Sequence, residues 1–249
     1  MKKVLGIIPA RLNSTRLPGK MLADICGKPL IFYTIQQAKK SKLLDDLVLA
    51  TDSEEIKRAV KDTGIQVIMT SAKHKCGSDR VAEAAKKFKK FKPEIIINIQ
   101  GDEPLLDPSV VDAVAKILLK NNGVKMASAA IPMKDKGASI KPNFVKVILD
   151  KNNDAIYFSR HPIPFERNSY SNYLKHVGIF GFKRDFLMKY VKMKQTPLEV
   201  AESLEQLRVL ENGYKIKLAV GDFREVSVDT HEDLEVARAI IKKQKNEKQ

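Results

Sequence analysis

The chain has 249 residues, of which 43% are hydrophobic and 30% are charged, and its formal net charge is +15. No apolar stretch approaches the roughly 20 residues of a membrane-spanning helix, and the first apolar run is too short for a signal peptide, so we expect a cytoplasmic protein. Two cysteines without a CxxC motif indicate neither a disulfide framework nor a zinc site.

Short apolar runs alternate with helical patterns in the first half of the chain. The apolar runs predict five buried strands: Val4–Ile8, Leu47–Ala50, Gln66–Met69, Ile95–Ile99 and Met126–Ile131. Apolar spacings of three and four predict four helices between them: Pro29–Lys40, Glu54–Asp62, Asp79–Lys89 and Pro108–Leu119. This α/β alternation predicts a mostly parallel, Rossmann-like sheet with helices on both faces and ligands at the carboxyl ends of its strands.

The second half of the chain has a more mixed pattern. Antiparallel strands are predicted at Asn143–Leu149, Ala155–Phe158 and His176–Phe182, and a helix at Asp185–Val191. A single helix is predicted from Thr196, with Pro197 and Glu199 completing its start signals, to the stop signal at Asn212-Gly213. A strand at Lys215–Val220 and a last helix from Thr230 to about Lys243 follow. We expect one domain over residues 1–249, with an inserted antiparallel subregion at about 132–195.

The loop after the first strand, residues 9–20, is dense in cations and hydroxyl groups. It contains Arg11, Arg16 and Lys20, and such groups at the carboxyl end of a strand are what a triphosphate needs. The loop is neither a GxGxxG motif nor a Walker A loop, since Met21 follows the lysine where a Walker A loop has Ser or Thr. A solvated basic loop is the alternative, but its density of arginine favours phosphate binding.

Carboxylates follow another predicted strand and precede the last helix. Asp102 and Glu103 follow Ile95–Ile99 after two residues, and there they could hold Mg²⁺ or only form a turn with Pro104. Asp229 could be a second metal ligand, or only part of the cap of the last helix.

Isolated polar residues are weaker candidates. His74 and Cys76 have no other clustered ligand nearby, so a metal site there is not expected. Arg160 and His176 lie where side chains could meet an acid, although a lone histidine is more often structural.

A polar stripe lies on the helix predicted from Thr196. It comprises Glu202, Glu205 and Gln206, with Leu204 and Leu207 facing the core. Such a stripe is usually solvated, so without further support it is weak evidence of a site.

Taken together, these motifs resemble the 3-deoxy-D-manno-octulosonate (KDO) cytidylyltransferases, or CMP-KDO synthetases, over nearly the whole chain. The first loop is shared with related sugar nucleotidyltransferases, so by itself it indicates only the superfamily. The narrower resemblance is carried, in order, by Gln100–Pro104, Tyr157–Arg160, Glu202–Arg208 and Val228–Thr230.

The resemblance implies an enzyme of the nucleotide-diphospho-sugar transferase fold. It would transfer CMP from CTP to KDO with Mg²⁺ as cofactor, giving CMP-KDO and pyrophosphate for lipopolysaccharide or capsule biosynthesis. It also implies a homodimer, with the 132–195 subregion as a candidate for dimerisation, and neither a nucleic-acid partner nor stable membrane insertion.

The resemblance also implies roles for residues of this chain. The expected catalytic residues are Lys20, Asp102 and Asp229, and the expected metal ligands are Asp102 and Asp229. The expected nucleotide-binding residues are Pro9, Ala10, Arg11, Ser14, Arg16, Lys20, Ser71 and Gly77. The expected sugar-binding residues are Arg80, Gln100, Arg160, His176, Glu205 and Gln206, with Arg80 or Arg160 against the sugar carboxylate.

The sequence departs from the family pattern at two places, and three alternative functions are open. Cys76 stands where such proteins usually have a smaller residue such as Ser, and His161-Pro162 follows the Tyr157–Arg160 motif.

The acceptor could be 8-amino-KDO or a nonulosonate, although Glu103, which is Gln in enzymes for the amino sugar, favours KDO. The net charge of +15 could belong to a nucleic-acid-binding module, but the lysine pairs have no aromatic stacking platform between them. A silent relative is disfavoured by the retained Lys20, Asp102 and Asp229.

Overall fold

The computed structural model describes residues 3–12, 17–74, 76–133, 135–224 and 226–247. The strands of these segments are β1 (Val4–Ala10), β2 (Asp24–Ile25), β3 (Lys28–Pro29), β4 (Asp46–Thr51), β5 (Gln66–Met69), β6 (Ile95–Asn98), β7 (Met126–Pro132), β8 (Lys146–Leu149), β9 (Ala155–Ser159), β10 (Leu174–Lys183) and β11 (Ile216–Val220). The α-helices are α1 (Leu30–Ala38), α2 (Glu54–Ala59), α3 (Gly77–Lys87), α4 (Pro108–Lys120), α5 (Arg184–Tyr190), α6 (Pro197–Glu202), α7 (Leu207–Glu211) and α8 (His231–Asn246).

A nine-stranded mixed sheet forms the centre of the molecule. Seven strands follow the order β11-β7-β10-β6-β1-β4-β5, and β8 and β9 extend from β10. Strands β1, β4, β5 and β6 pair in parallel, as do β7 and β11. Strand β10 lies antiparallel between β6 and β7 and joins these two parallel parts. Strands β2 and β3 form a separate two-stranded ribbon.

Helices cover both faces of this sheet, which confirms the predicted fold class. The apolar side chains of α3, α5 and α7 pack on one face, with Phe158 and Phe182 among their contacts. Those of α1, α2 and α4 pack on the other face. Helix α8 packs with the β2–β3 ribbon in a third, smaller cluster. Within the described residues, no helix combines the length and apolar character needed to cross a membrane.

One predicted helix is wrong. Residues 196–212 form two short helices, α6 and α7, because Ser203 adopts a left-handed conformation with φ of 52°. The helical spacing that placed Glu202, Glu205 and Gln206 on one face therefore does not apply to them. Glu199 and Arg208 form a buried ion pair that holds the two helices together.

Candidate functional site

A pocket of about 390 Å³ lies where β1, β5 and β6 reach their carboxyl ends. Its walls come from the first loop, the connection from β5 to α3, the loop after β6, the α6–α7 connection and the segment before α8. The lining residues are Pro9, Ala10, Arg11, Lys20, Met21, His74, Cys76, Gly77, Arg80, Gln100, Gly101, Asp102, Glu205 and Asp229. Ten of them are residues to which the sequence assigned a role.

Lys20 joins the two carboxylates that were predicted to converge. Its Nζ lies 2.6 Å from Oδ2 of Asp102 and 3.1 Å from Oδ1 of Asp229, and its side chain is only 7% exposed. The carboxylates are more open, with side-chain exposures of 23% and 31%. Residues from the start, middle and end of the chain thus form one charged cluster in the pocket.

Hydrogen bonds to the main chain hold the two acidic segments in place. The N–H of Val228 donates to the carbonyl of Asp102 at 2.9 Å, and the hydroxyl of Thr34 donates to the carbonyl of Gly101 at 2.8 Å. A Cβ atom at Gly101 would lie 3.0 Å from the carbonyl oxygen of Pro9, so this close approach favours glycine. The spacing between Asp102 and Asp229 is therefore set by main-chain structure.

The start of α8 orients Asp229. The carboxylate of Asp233 accepts hydrogen bonds from the backbone N–H groups of Asp229 and Thr230, at 3.0 and 2.9 Å. The Asp233 N–H in turn donates to Thr230 Oγ1 at 3.2 Å, completing a capping box. Burial raises the pKa of Asp233, but these hydrogen bonds outweigh it and the net pKa lies below its usual value. The backbone of Asp229 therefore belongs to the cap and its side chain contacts Lys20, while its role as a metal ligand stays a prediction.

The connection between β5 and α3 and the first turn of α3 form a second wall. Arg80 donates to Thr70 Oγ1 at 2.6 Å and to Asp52 Oδ2 at 3.0 Å, so its guanidinium is held in place while it lines the pocket. His74 also lines the pocket, and its Nε2 contacts the carboxylate of Glu83. Burial raises the pKa of Glu83, yet its bonds to Lys87, the Ser71 N–H and His74 lower the pKa to about 2.

Cys76, directly before α3, and Glu205, between α6 and α7, both line the pocket. Burial raises the pKa of Glu205, against a hydrogen bond of 2.8 Å from the Ser78 hydroxyl. Burial, followed by the charge of Glu205, raises the pKa of Cys76 to about 12. Cys76 is therefore a neutral thiol near pH 7 and not an activated nucleophile.

Four predicted site residues do not line the pocket. Ser71 is exposed, and its N–H is bonded to Glu83 at 2.9 Å. The guanidinium of Arg160 donates to the backbone carbonyls of Glu202 and Pro142, at 2.8 and 3.1 Å. Gln206 is buried, and its Nε2 has no hydrogen-bond partner within the described segments.

His176 is the fourth of these residues, and it lies in the core. Its Nε2 is 2.7 Å from the Ser128 hydroxyl, and its ring lies 4.9 and 5.3 Å from the rings of Phe158 and Phe180. Burial, with a smaller contribution from Lys175, lowers its pKa to about 3. The sugar-binding roles of Arg160, His176 and Gln206, and the nucleotide-binding role of Ser71, stay predictions. Ser14 and Arg16 lie outside the described residues.

Four lining residues had no role assigned from the sequence: Met21, His74, Cys76 and Gly101. Met21 and Gly101 are chain neighbours of Lys20 and Asp102, so proximity to a predicted residue was the available signal. His74 was considered only as a metal ligand, but its place after β5 puts it at the same edge of the sheet as the first loop.

Comparisons with known proteins are consistent across the chain. Residues 5–216 match the model of the cytidylyltransferase family. A protein of Neisseria meningitidis serogroup C / serotype 2a, named 3-deoxy-manno-octulosonate cytidylyltransferase, is 45% identical, with the alignment covering 97% of this chain and 99% of that protein. A Fusobacterium nucleatum protein of the same name is 48% identical, covering 96% and 97% of the two chains.

A solved structure is similar over the same length. It is a CMP:2-keto-3-deoxy-manno-octonic acid synthetase complexed with CTP, with a TM-score of 0.92 and 36% identity. The superposition covers 98% of this chain and 100% of that one.

Proposed function

Because this chain belongs to the cytidylyltransferase family, we infer that it transfers CMP from CTP to KDO and releases pyrophosphate. The family resemblance read from the sequence motifs is confirmed, and similar proteins at 45% and 48% identity carry the name of this activity. The observation that carries the inference is the pocket in which Arg11, Lys20, Asp102 and Asp229 meet at the strand ends of a fold similar to a CTP-bound synthetase.

The reaction we propose is a direct displacement. The anomeric hydroxyl of KDO attacks the α-phosphorus of CTP, a new P–O bond forms, the bond to the β-phosphate oxygen breaks, and pyrophosphate leaves as the hydroxyl loses its proton. Arg11 and Lys20 bind the triphosphate and offset the charge that spreads over its oxygens. No covalent enzyme intermediate is needed, and the neutral thiol of Cys76 offers no nucleophile for one.

The acidic pair fits a magnesium ion shared with the nucleotide. Mg²⁺ usually binds proteins through one or two carboxylates together with substrate phosphates and water. We propose that Asp102 and Asp229 are these carboxylates. Bound there, the ion would offset the negative charge of the phosphates. Asp102 and Asp229 supply its protein ligands, while Asp233 and the backbone of Val228 keep them in position.

The acid sugar is proposed to bind beside Arg80, Gln100 and Glu205. These three side chains line the pocket and supply a cation, an amide and a carboxylic group. Arg80, fixed by Asp52 and Thr70, is the preferred partner of the sugar carboxylate, because Arg160 donates to backbone carbonyls outside the lining.

We also propose that the protein acts as a cytoplasmic homodimer whose product feeds lipopolysaccharide or capsule synthesis. Exposed apolar side chains between residues 156 and 200 support an association surface. They are Ile156, Phe165, Leu198 and Val200.

The function is tested by measuring pyrophosphate release with Mg²⁺ while crossing four nucleotides with KDO, 8-amino-KDO and neuraminate. We expect release with CTP and KDO at a rate well above every other pair. Release with an amino sugar or neuraminate but not with KDO would contradict the proposed acceptor. Absence of release with every pair, together with tight and steeply salt-dependent DNA or RNA binding, would favour the nucleic-acid alternative.

A further inference from the structure

The cluster of Lys20, Asp102 and Asp229 places the protein's own cation between two carboxylates. One ammonium group contacts both carboxylates at hydrogen-bonding distance, 2.6 and 3.1 Å. The Lys20 side chain is nearly inaccessible to solvent. Its charge therefore lies between the two groups that were assigned to magnesium.

Lys20 is held there by its backbone as well as by the carboxylates. Gly19, in the left-handed region with φ of 67°, precedes a 3₁₀ turn over Lys20–Leu22. The N–H of Lys20 donates to the carbonyl of Leu17 at 3.1 Å, and its own carbonyl accepts from Ala23 at 3.1 Å. The turn fixes the start of the side chain, so the ammonium reaches the acidic pair from an ordered position.

The acidic pair is a poor site for a divalent ion in the free protein. Across the described segments, no three His, Cys, Asp or Glu side chains are grouped to hold a metal. Mg²⁺ gives up its water reluctantly and gains little from only two carboxylates. A fixed positive charge within about 4 Å adds a repulsion that the ion must overcome.

We propose that Lys20 is the resident cation of the Asp102–Asp229 pair and excludes divalent ions from the nucleotide-free protein. The metal then enters only with CTP, whose phosphates attract the Lys20 ammonium away from the carboxylates and supply the missing oxygen ligands. Lys20 thereby determines that CTP binds before or together with the metal ion, in addition to binding the triphosphate. This inference rests on the proposed function, since it takes the acidic pair as the metal site.

The test is Mn²⁺ binding in the absence of nucleotide, measured from the EPR signal of the free ion. Lys20→Met keeps an unbranched apolar side chain and removes the terminal ammonium with its charge. We expect this variant to bind Mn²⁺ at least about tenfold more tightly than the wild type, because the repulsion between the ammonium and the metal ion is gone. Lys20→Arg keeps the charge and should bind as weakly as the wild type.

Two further measurements locate the ion. Adding Asp102→Asn to Lys20→Met should abolish the gained binding. Adding CTP to the wild type should produce binding beyond that of the same CTP concentration without protein. Thermal unfolding of each variant confirms that it is folded. Equal Mn²⁺ affinity of the wild type and Lys20→Met without CTP would overturn the proposal, as would Lys20→Arg binding as tightly as Lys20→Met. Pyrophosphate release by the wild type is a separate readout, so a failure of the cation hypothesis leaves the enzymatic function intact.

Discussion

At Asp102, the effect of a substitution on catalysis can be measured separately from its effect on folding. Its side chain is partly exposed, and its carbonyl, not its carboxylate, holds the chain to Val228. We therefore expect Asp102→Asn to stay folded and to lose at least about 100-fold in the rate of pyrophosphate release, the typical scale for removing one electrostatic group from a reacting centre.

The matched control for this change is Asp62→Asn. Asp62 is an exposed acid that pairs loosely with Lys28 at 3.8 Å, remote from the pocket lining. It should keep wild-type activity. Near-normal release by Asp102→Asn, with an unchanged melting temperature, would remove Asp102 from the metal site.

His176 makes stability depend on pH. Its pKa is about 3 in the folded protein and 6.5 for the free side chain, because burial disfavours the charged ring. Between these values the unfolded chain binds a proton that the folded chain does not, so stability falls as the pH decreases from 6.5 toward 3. Between pH 7.5 and pH 5 this amounts to about 2 kcal/mol.

The measurement is urea unfolding at these two pH values for the wild type and His176→Gln. The wild type should lose about 2 kcal/mol more than the variant on acidification. His161→Gln, a change at an exposed histidine, should behave like the wild type. Identical pH dependence of the wild type and His176→Gln would mean that the buried ring accepts a proton at ordinary cost.

At the residue scale, the sequence predicted which side chains lie at strand ends better than it predicted which side chains are buried by their neighbours. Lys20, Asp102 and Asp229 follow or precede recognisable elements, and parallel strands bring such positions to one edge. The surroundings of His176 depend on the rings of Phe158 and Phe180 and on Ser128 from another strand. Those contacts arise from strand register, which a single sequence does not specify.

At the element scale, the cap of α8 has a role beyond helix stability. Thr230→Ala removes the hydroxyl that accepts from the Asp233 N–H, at a cost of about 1 kcal/mol. Because the same cap orients the backbone of Asp229, we also expect activity to fall by roughly tenfold or more. Unfolding free energy and pyrophosphate release are measured on the same preparation.

Ser53→Ala provides the comparison for this cap. Ser53 caps α2, where its hydroxyl accepts from the Ile56 N–H at 3.3 Å, and it does not line the pocket. It should lose a similar amount of stability and keep its activity. If both variants lose stability and neither loses activity, the cap of α8 has no part in placing Asp229.

The division between α6 and α7 shows why element boundaries were hard to predict. Thr196, Pro197 and Glu199 are true start signals, and the backbone N–H of Thr196 does donate to Glu199 at 3.3 Å. Ser203 carries no helix-ending signal of its own. The left-handed turn there is stabilised by tertiary contacts, including the Glu199–Arg208 pair and the bond from Ser78 to Glu205.

At the scale of the whole molecule, the proposed homodimer predicts that substitutions at two exposed valines have different effects on the oligomeric state. Val200 on α6 is 61% exposed and belongs to the set of exposed apolar side chains between residues 156 and 200, whereas Val236 on α8 is 54% exposed and lies outside that set. We expect Val200→Asp to shift the mass measured by light scattering from dimer to monomer, because an aspartate buried in an apolar contact lacks a partner. Val236→Asp should remain a dimer. Dissociation by both changes, or a monomeric wild type, would contradict the proposed surface.

The position of strand β10 in the sheet means that the sheet cannot be completed until late in synthesis of the chain. It fills the gap between β6 and β7, yet it is made long after both of them. A growing chain released up to residue 150 would expose two strand edges in the middle of its future sheet, and such edges invite pairing with other chains. Residues after 150 therefore have two roles during folding. Strand β10 completes the sheet, and the segment before α8 then brings Asp229 into the pocket, so both are needed before substrates can bind.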